Sequence, residues 1–139
     1  MHLTKVLLVD DNQAFREITE SFLSLAPHLV VVGSTGDGWQ ALTQAQRTQP
    51  DLILVDLQMP SLSGLELIPG LRRLLPCAAI IALTLMKAEF YRQAALDAGA
   101  DEFVEKAQMD GELLPTIQRL TGARIPRVTG ELEIAGIPH

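Results

Sequence analysis

Five polar side chains between positions 10 and 106 share one placement: each closes, or closely follows, a short aliphatic run. Asp10 and Asp11 follow Val6-Leu7-Leu8-Val9, Asp56 follows Leu52-Ile53-Leu54-Val55, Thr84 follows Ile80-Ile81-Ala82-Leu83, and Lys106 comes just after Phe103-Val104. If these runs are strands of one parallel sheet, their carboxyl ends share an edge, which is where such sheets bind ligands. Three carboxylates a few ångströms apart repel one another, so that edge calls for a cation. Magnesium suits the set better than zinc or a full calcium cage, because it takes one or two carboxylates, keeps waters and sits beside phosphate oxygens. Lys106 offers a mobile point charge for a phosphoryl oxygen, and Thr84 a hydroxyl donor. A metal, a carboxylate able to attack and two donors for equatorial oxygens are the parts of phosphoryl transfer. Asp56 stands alone at the end of its run and is the candidate nucleophile, whereas the adjacent Asp10 and Asp11 suit metal holding.

The elements that must position these groups alternate between strand-like runs and segments of helical period, which predicts βα units and a parallel sheet. Strands are expected at 5–9, 29–33, 52–55, 79–83 and 102–104. Their continuous apolar character fits strands covered on both faces. Phe15, Ile18, Phe22 and Leu25 recur at helical spacing and predict the buried stripe of a first helix, with Arg16, Glu17 and Glu20 outside it. A second helix is expected at 37–48. A third opens at Ser63, where Ser63 and Glu66 form a capping box, and a kink or early break is expected at Pro69-Gly70. A fourth spans 88–98 and stops at Gly99; a fifth starts near Asp110 and carries Leu113, Leu114, Ile117 and Leu120.

The length of 139 residues suits one domain, and 47% hydrophobic content supports a true core. Residues 1–120 read as that domain. Residues 121–139 read as a C-terminal tail, either loosely docked or, through Leu132, Ile134 and Ile137, partner-binding. A formal charge of −6 argues against direct nucleic-acid or anionic-membrane contact. Cys77 is the single cysteine, so no intramolecular disulfide or cysteine zinc site is expected, and a cytoplasmic location is the simplest expectation. The start is too short for a signal peptide or membrane span. Gly33, Gly36 and Gly38 are spaced GxxGxG after the second strand, which does not match a dinucleotide loop. Trp39 is expected to pack at the start of the second helix. His2, His28 and His139 are scattered and make no metal site or triad.

Over about residues 3 to 120 the chain resembles the receiver domain of two-component response regulators. The resemblance rests on Leu7-Leu8-Val9-Asp10-Asp11-Asn12, the segment Asp51 to Pro60 with Asp56 and Gln58, Gly64-Leu65-Glu66, Ala82-Leu83-Thr84, Ala98-Gly99-Ala100-Asp101 and Phe103-Val104-Glu105-Lys106. It implies a flavodoxin-like α/β fold, a five-stranded parallel sheet of order 2-1-3-4-5. It implies a phosphoacceptor in phosphorelay signal transduction, with Asp56 phosphorylated by a histidine kinase or histidine phosphotransfer protein, rather than an enzyme turning over a separate substrate. Asp11, Asp56 and the Gln58 backbone carbonyl would bind Mg2+, with Asp10 acting mainly through water. Lys106 would pair with the phosphoryl group, Thr84 and Phe103 would form the switch pair, and helix four, strand five and helix five would meet an output protein or a second copy in a homodimer.

Departures from the family pattern bear on chemistry. Leu85 stands where Ala or Gly is usual and is expected to narrow access to Asp56. Met86 cannot hydrogen-bond an attacking water, so slow acyl-phosphate hydrolysis is expected, and Ala107 replaces a common proline. Singly, each feature has a plainer reading: the Asp pair as a solvated turn, Thr84 as structural, Phe103 as static core. An alternative function is the receiver fragment of a longer DNA-binding transcription regulator. An aspartyl phosphatase is disfavoured because Gln58 stands where such enzymes carry a second Asp.

Overall fold

The computed structural model describes residues 2–60 and 62–122. The expected tail lies outside the described residues from position 123 onward. Within them the chain alternates β1 (Thr4–Val9), α1 (Gln13–Leu23), β2 (Leu29–Thr35), α2 (Gly38–Thr48), β3 (Leu52–Asp56), α3 (Gly64–Leu74), β4 (Ala79–Thr84), α4 (Ala88–Ala98), β5 (Glu102–Glu105) and α5 (Met109–Thr121). A single 3-10 turn, Lys106–Gln108, joins β5 to α5. The five strands are parallel in the order β2-β1-β3-β4-β5, as the resemblance implied. Strand order therefore reverses beside β1, and the crevice at the carboxyl ends of β1 and β3 is where the acids fall.

Strand residues alternate between two apolar layers. Leu7, Val9, Ile53, Val55, Ile80, Ala82 and Phe103 face a layer closed by Ala41 and Ala45 of α2, Leu67, Ile68 and Leu71 of α3 and Ala95 of α4. Val6, Leu8, Leu52, Leu54, Ile81, Leu83 and Val104 face Leu23 of α1 and Met109, Leu113 and Ile117 of α5. Burial on both faces is the reason the strands read as unbroken apolar runs.

Two helix expectations need correction. The inward face of α1 runs through Phe15, Thr19, Phe22 and Leu23, and on to Ala26 beyond it. Ile18 and Leu25 are 59% and 64% exposed. The buried stripe keeps Phe15 and Phe22 but passes through Thr19, whose hydroxyl lies 3.8 Å from the Met109 sulfur, in place of Ile18. The second correction concerns the early break at Pro69. Helix α3 continues through it to Leu74, because the buried Leu67, Ile68 and Leu71 hold both halves against the sheet, outweighing one lost backbone hydrogen bond. The Ser63–Glu66 capping box is present as expected. Trp39, expected to pack, is instead 62% exposed. Gly99 ends α4 at φ +126°, a conformation side chains rarely adopt, and Thr121, read as tail, is the last residue of α5, capped by Gly122.

Candidate functional site

Both central strands deliver an acid to the same rim. After β1, Asp10 turns its carboxylate back to accept the Asn12 N–H at 2.9 Å, and its own N–H is paired with the Thr35 carbonyl of the neighbouring strand. Asn12 then caps α1 by accepting from the Phe15 N–H at 3.0 Å. The corner from 10 to 12 is thus fixed at both ends. The Asp10 carbonyl is held from outside by the Arg16 guanidinium. On the neighbouring strand Asp56 closes β3, and its Oδ1 accepts the Gln58 N–H at 3.2 Å. The loop that follows folds tightly against it: a Cβ at Gly64 would collide with the Asp56 carbonyl oxygen and lie 2.8 Å from the Leu57 Cα. Only glycine permits that approach.

One carboxylate oxygen from each of Asp10, Asp11 and Asp56 lies within 4.8 Å of the others, with Asp10 and Asp56 buried and Asp11 exposed. Lys106 enters from the turn after β5, its Nζ 2.7 Å from Asp10 Oδ2 and 3.7 Å from Asp56 Oδ2. The same ammonium sits 4.1 Å from the centroid of the Phe15 ring, a cation–π contact that leaves it little other freedom. The Lys106 ammonium thus faces the two buried acids of the three. Burial first, and then the Asp10 charge, push the Asp56 carboxyl from 3.8 up to about 6, against the opposing pull of Lys106 and the Gln58 N–H, with Asp11 adding to the rise. Asp10 Oδ2 is buried, with the Lys106 ammonium as its partner. Three hard carboxylate oxygens this close to one another, as at this rim, fit a small divalent cation such as magnesium.

Thr84, at the end of β4, is fully buried. Its Oγ1 donates to Gln58 Oε1 at 2.5 Å and accepts the Met86 N–H at 3.0 Å. Asp56 is in register with Leu83, one residue before it. Phe103 pairs in register with Ala82 and lies in the core layer beneath α4, with the Arg92 guanidinium carbon 5.4 Å from its ring centroid. Glu105, at the end of β5, accepts the Ala88 N–H at 2.8 Å and so ties that strand to the start of α4.

Of the sequence-predicted residues, Asp10, Asp11, Asp56 and Lys106 meet at one rim, Thr84 adjoins it through the Gln58 side chain, and Phe103 lies in the apolar layer behind. Leu85, expected to narrow access to Asp56, is 79% exposed on the loop that follows Thr84. Three contributions went unread in the sequence. Sequence pattern gives Phe15 a place only in the apolar stripe, Arg16 one only on the solvated face, and Gln58 a role only for its backbone carbonyl. Spacing carries no signal for such contacts, since each depends on which way a side chain turns at the rim.

The sequence profile described as "Response regulator receiver domain" matches residues 6–118. Among curated proteins, the chain is 38% identical over 127 residues to the nitrate/nitrite response regulator protein NarP of Escherichia coli (strain K12), covering 91% of this chain and 58% of that protein. It is 32% identical over 146 residues to protein-glutamate methylesterase/protein-glutamine glutaminase 1 of Dechloromonas aromatica (strain RCB), covering 97% of this chain and 42% of that protein. The chain spans about half the length of the curated relatives it matches. Among solved structures, the response regulator domain of Thermotoga maritima CheB superimposes with a TM-score of 0.78 at 27% identity, covering 88% of this chain and 99% of that one. No helix among the described residues is long and apolar enough to cross a membrane.

Proposed function

Because the chain belongs to the response regulator receiver family, we propose that it takes a phosphoryl group onto Asp56 from a phosphohistidine of a histidine kinase or histidine phosphotransfer protein, and signals to a protein partner by a conformational switch. The observation that carries this reading is the meeting of three carboxylates within 4.8 Å with a single buried lysine at the ends of strands far apart in sequence. Asp56 Oδ would attack the phosphorus, the P–N bond would break with its electron pair leaving on the imidazole, and an acyl phosphate would form. With a pKa of about 6, Asp56 is mostly ionised at neutral pH, as a nucleophile must be. Asp10, Asp11, Asp56 and the Gln58 carbonyl are the residues that would hold Mg2+. That ion supplies charge neutralisation for the phosphoryl oxygens.

Lys106 has Asp10 as its nearest partner and would turn to a phosphoryl oxygen once Asp56 is esterified. Thr84 would donate to a second oxygen, and with Phe103 it would convey the change to the face of α4, β5 and α5, where an output protein or a second copy of the chain would dock. Such a protein supports its own phosphoryl transfer and dephosphorylation instead of turning over a separate substrate. Met86 offers no hydrogen bond to an attacking water, which favours a long-lived acyl phosphate. A second reading makes these residues the receiver portion of a longer DNA-binding transcription regulator. It draws on the match to NarP, of whose length the chain covers 58%, and the length of the native open reading frame separates the two.

The test is intact mass with and without acetyl phosphate and magnesium. A gain of one phosphoryl group in wild type and none in Asp56→Asn is expected. Equal gain in both proteins would overturn the assignment of Asp56.

A further inference from the structure

The Thr84 hydroxyl has one proton to give, and in this structure Gln58 has it. Oγ1 donates to Gln58 Oε1 at 2.5 Å while accepting the Met86 N–H at 3.0 Å. A hydroxyl has a single donor and two acceptor sites, so its donor is fully committed. Thr84 itself is completely buried, without solvent to exchange partners through. Gln58, by contrast, is an exposed residue on the loop after Asp56, with Asp56 Oδ1 accepting its backbone N–H. Phe103 is already buried beneath α4. Of the two residues assigned to the switch, Thr84 is therefore the one whose present partner must be given up before it can serve a phosphoryl oxygen.

We infer that the Gln58 side chain is a latch on the switch: it holds the Thr84 hydroxyl in the unphosphorylated protein and sets how much of the phosphoryl group's binding energy goes into releasing it. The inference deepens the proposed phosphoacceptor function and rests on it. It gives Gln58 a positioning role through its side chain, separate from any role of its carbonyl in holding a metal. The exchange is a neutral hydrogen bond traded for one to a charged phosphoryl oxygen, which is about twice as strong. The bond given up, a net neutral one, is worth roughly threefold to tenfold in an equilibrium. That factor is the expected bias against the active arrangement.

The test is a double-mutant cycle read by binding of beryllofluoride, a phosphoryl mimic, in the presence of magnesium, using titration calorimetry on the full chain. Gln58→Ala and Gln58→Leu should each raise affinity roughly threefold to tenfold over wild type. In a Thr84→Ala background the same substitutions should change affinity less than twofold. A second readout is the Met86 amide resonance. Because this N–H donates to Thr84 Oγ1, its position in the free Gln58→Ala protein should move toward its position in the beryllofluoride complex. An equal gain in both backgrounds would overturn the latch, showing that Gln58 acts on the phosphoryl group directly. No gain, or a loss, in the wild-type background would overturn it too. If wild type itself neither binds beryllofluoride nor gains phosphoryl mass, the phosphoacceptor reading falls, and the latch with it.

Discussion

Removing the Asp56 charge should stabilise the metal-free protein at neutral pH. In the fold this carboxyl titrates at about 6 against an ordinary 3.8, chiefly through burial and the Asp10 charge. A gap of about two units corresponds to roughly 3 kcal/mol at 1.36 kcal/mol per unit. The folded state holds the proton more tightly than the unfolded state does. The group's contribution to stability is therefore fully present below about pH 4, and it is lost as pH rises to about 6 and beyond. Asparagine has no such charge to acquire. Wild type and Asp56→Asn should have similar stability near pH 4 and diverge above it, with the variant ahead by about 1–3 kcal/mol at pH 7. The lower end allows for Lys106, whose Nζ lies 3.7 Å from Asp56 Oδ2 and loses that partner. Urea unfolding from about pH 4 to 8 in a chelating buffer measures the difference. Adding magnesium should close the gap from the wild-type side, since a ligand bound only by the folded state stabilises it by mass action. Parallel stability profiles, or a variant less stable than wild type at pH 7, would refute this account of the site's electrostatics.

Lys106→Met leaves two buried carboxylates without a counter-charge and should cost about 3–5 kcal/mol above pH 6 without metal; part of this should return in Lys106→Met/Asp56→Asn, again by urea unfolding. Gly64→Ala drives a Cβ into the Asp56 carbonyl oxygen and should cost about 1–3 kcal/mol, seen as a lowered thermal midpoint. On α1, Ile18→Ser should change stability by less than about 0.5 kcal/mol, whereas Leu23→Ala should cost about 2–5 kcal/mol, and reversed outcomes would restore the stripe first read from the sequence. Leu85→Ala should raise the acetyl-phosphate labelling rate by widening access to Asp56, and an unchanged rate would refute that expectation.

What could be read in the sequence and what could not divide along physical lines. A strand buried on both faces must be apolar throughout, so the first polar residue after it marks where the sheet ends. Asp10, Asp56 and Thr84 announced themselves in this way, and parallel pairing then brought them to one edge without any knowledge of their contacts. The faces of α1 were harder, because burial does not require an apolar side chain. Thr19 lies inward with its hydroxyl against the Met109 sulfur, while Ile18 next to it faces solvent. A periodicity count weighs those two residues the wrong way round. Pro69 misled for a related reason: its local cost is fixed, but the buried residues on both sides of it that hold the helix together come from the tertiary structure.

The side chain of Gln58 illustrates a limit of a different kind. Its backbone position follows from Asp56, two residues earlier, and that much is local. Its contact with Thr84 spans 26 positions and exists only because β3 and β4 are neighbours in register. Nothing in the composition of either segment favours glutamine bonding to a threonine over bonding to water. A neutral hydrogen bond between two such distant side chains is worth about 0.5–1.5 kcal/mol net, and it leaves no pattern of its own in either segment. Its consequence lies elsewhere. A single bond of that size is one small term among many in the fold but comparable to the whole bias of a two-state switch, so residues that tune such an equilibrium can be nearly invisible to reasoning based on core, caps and charge.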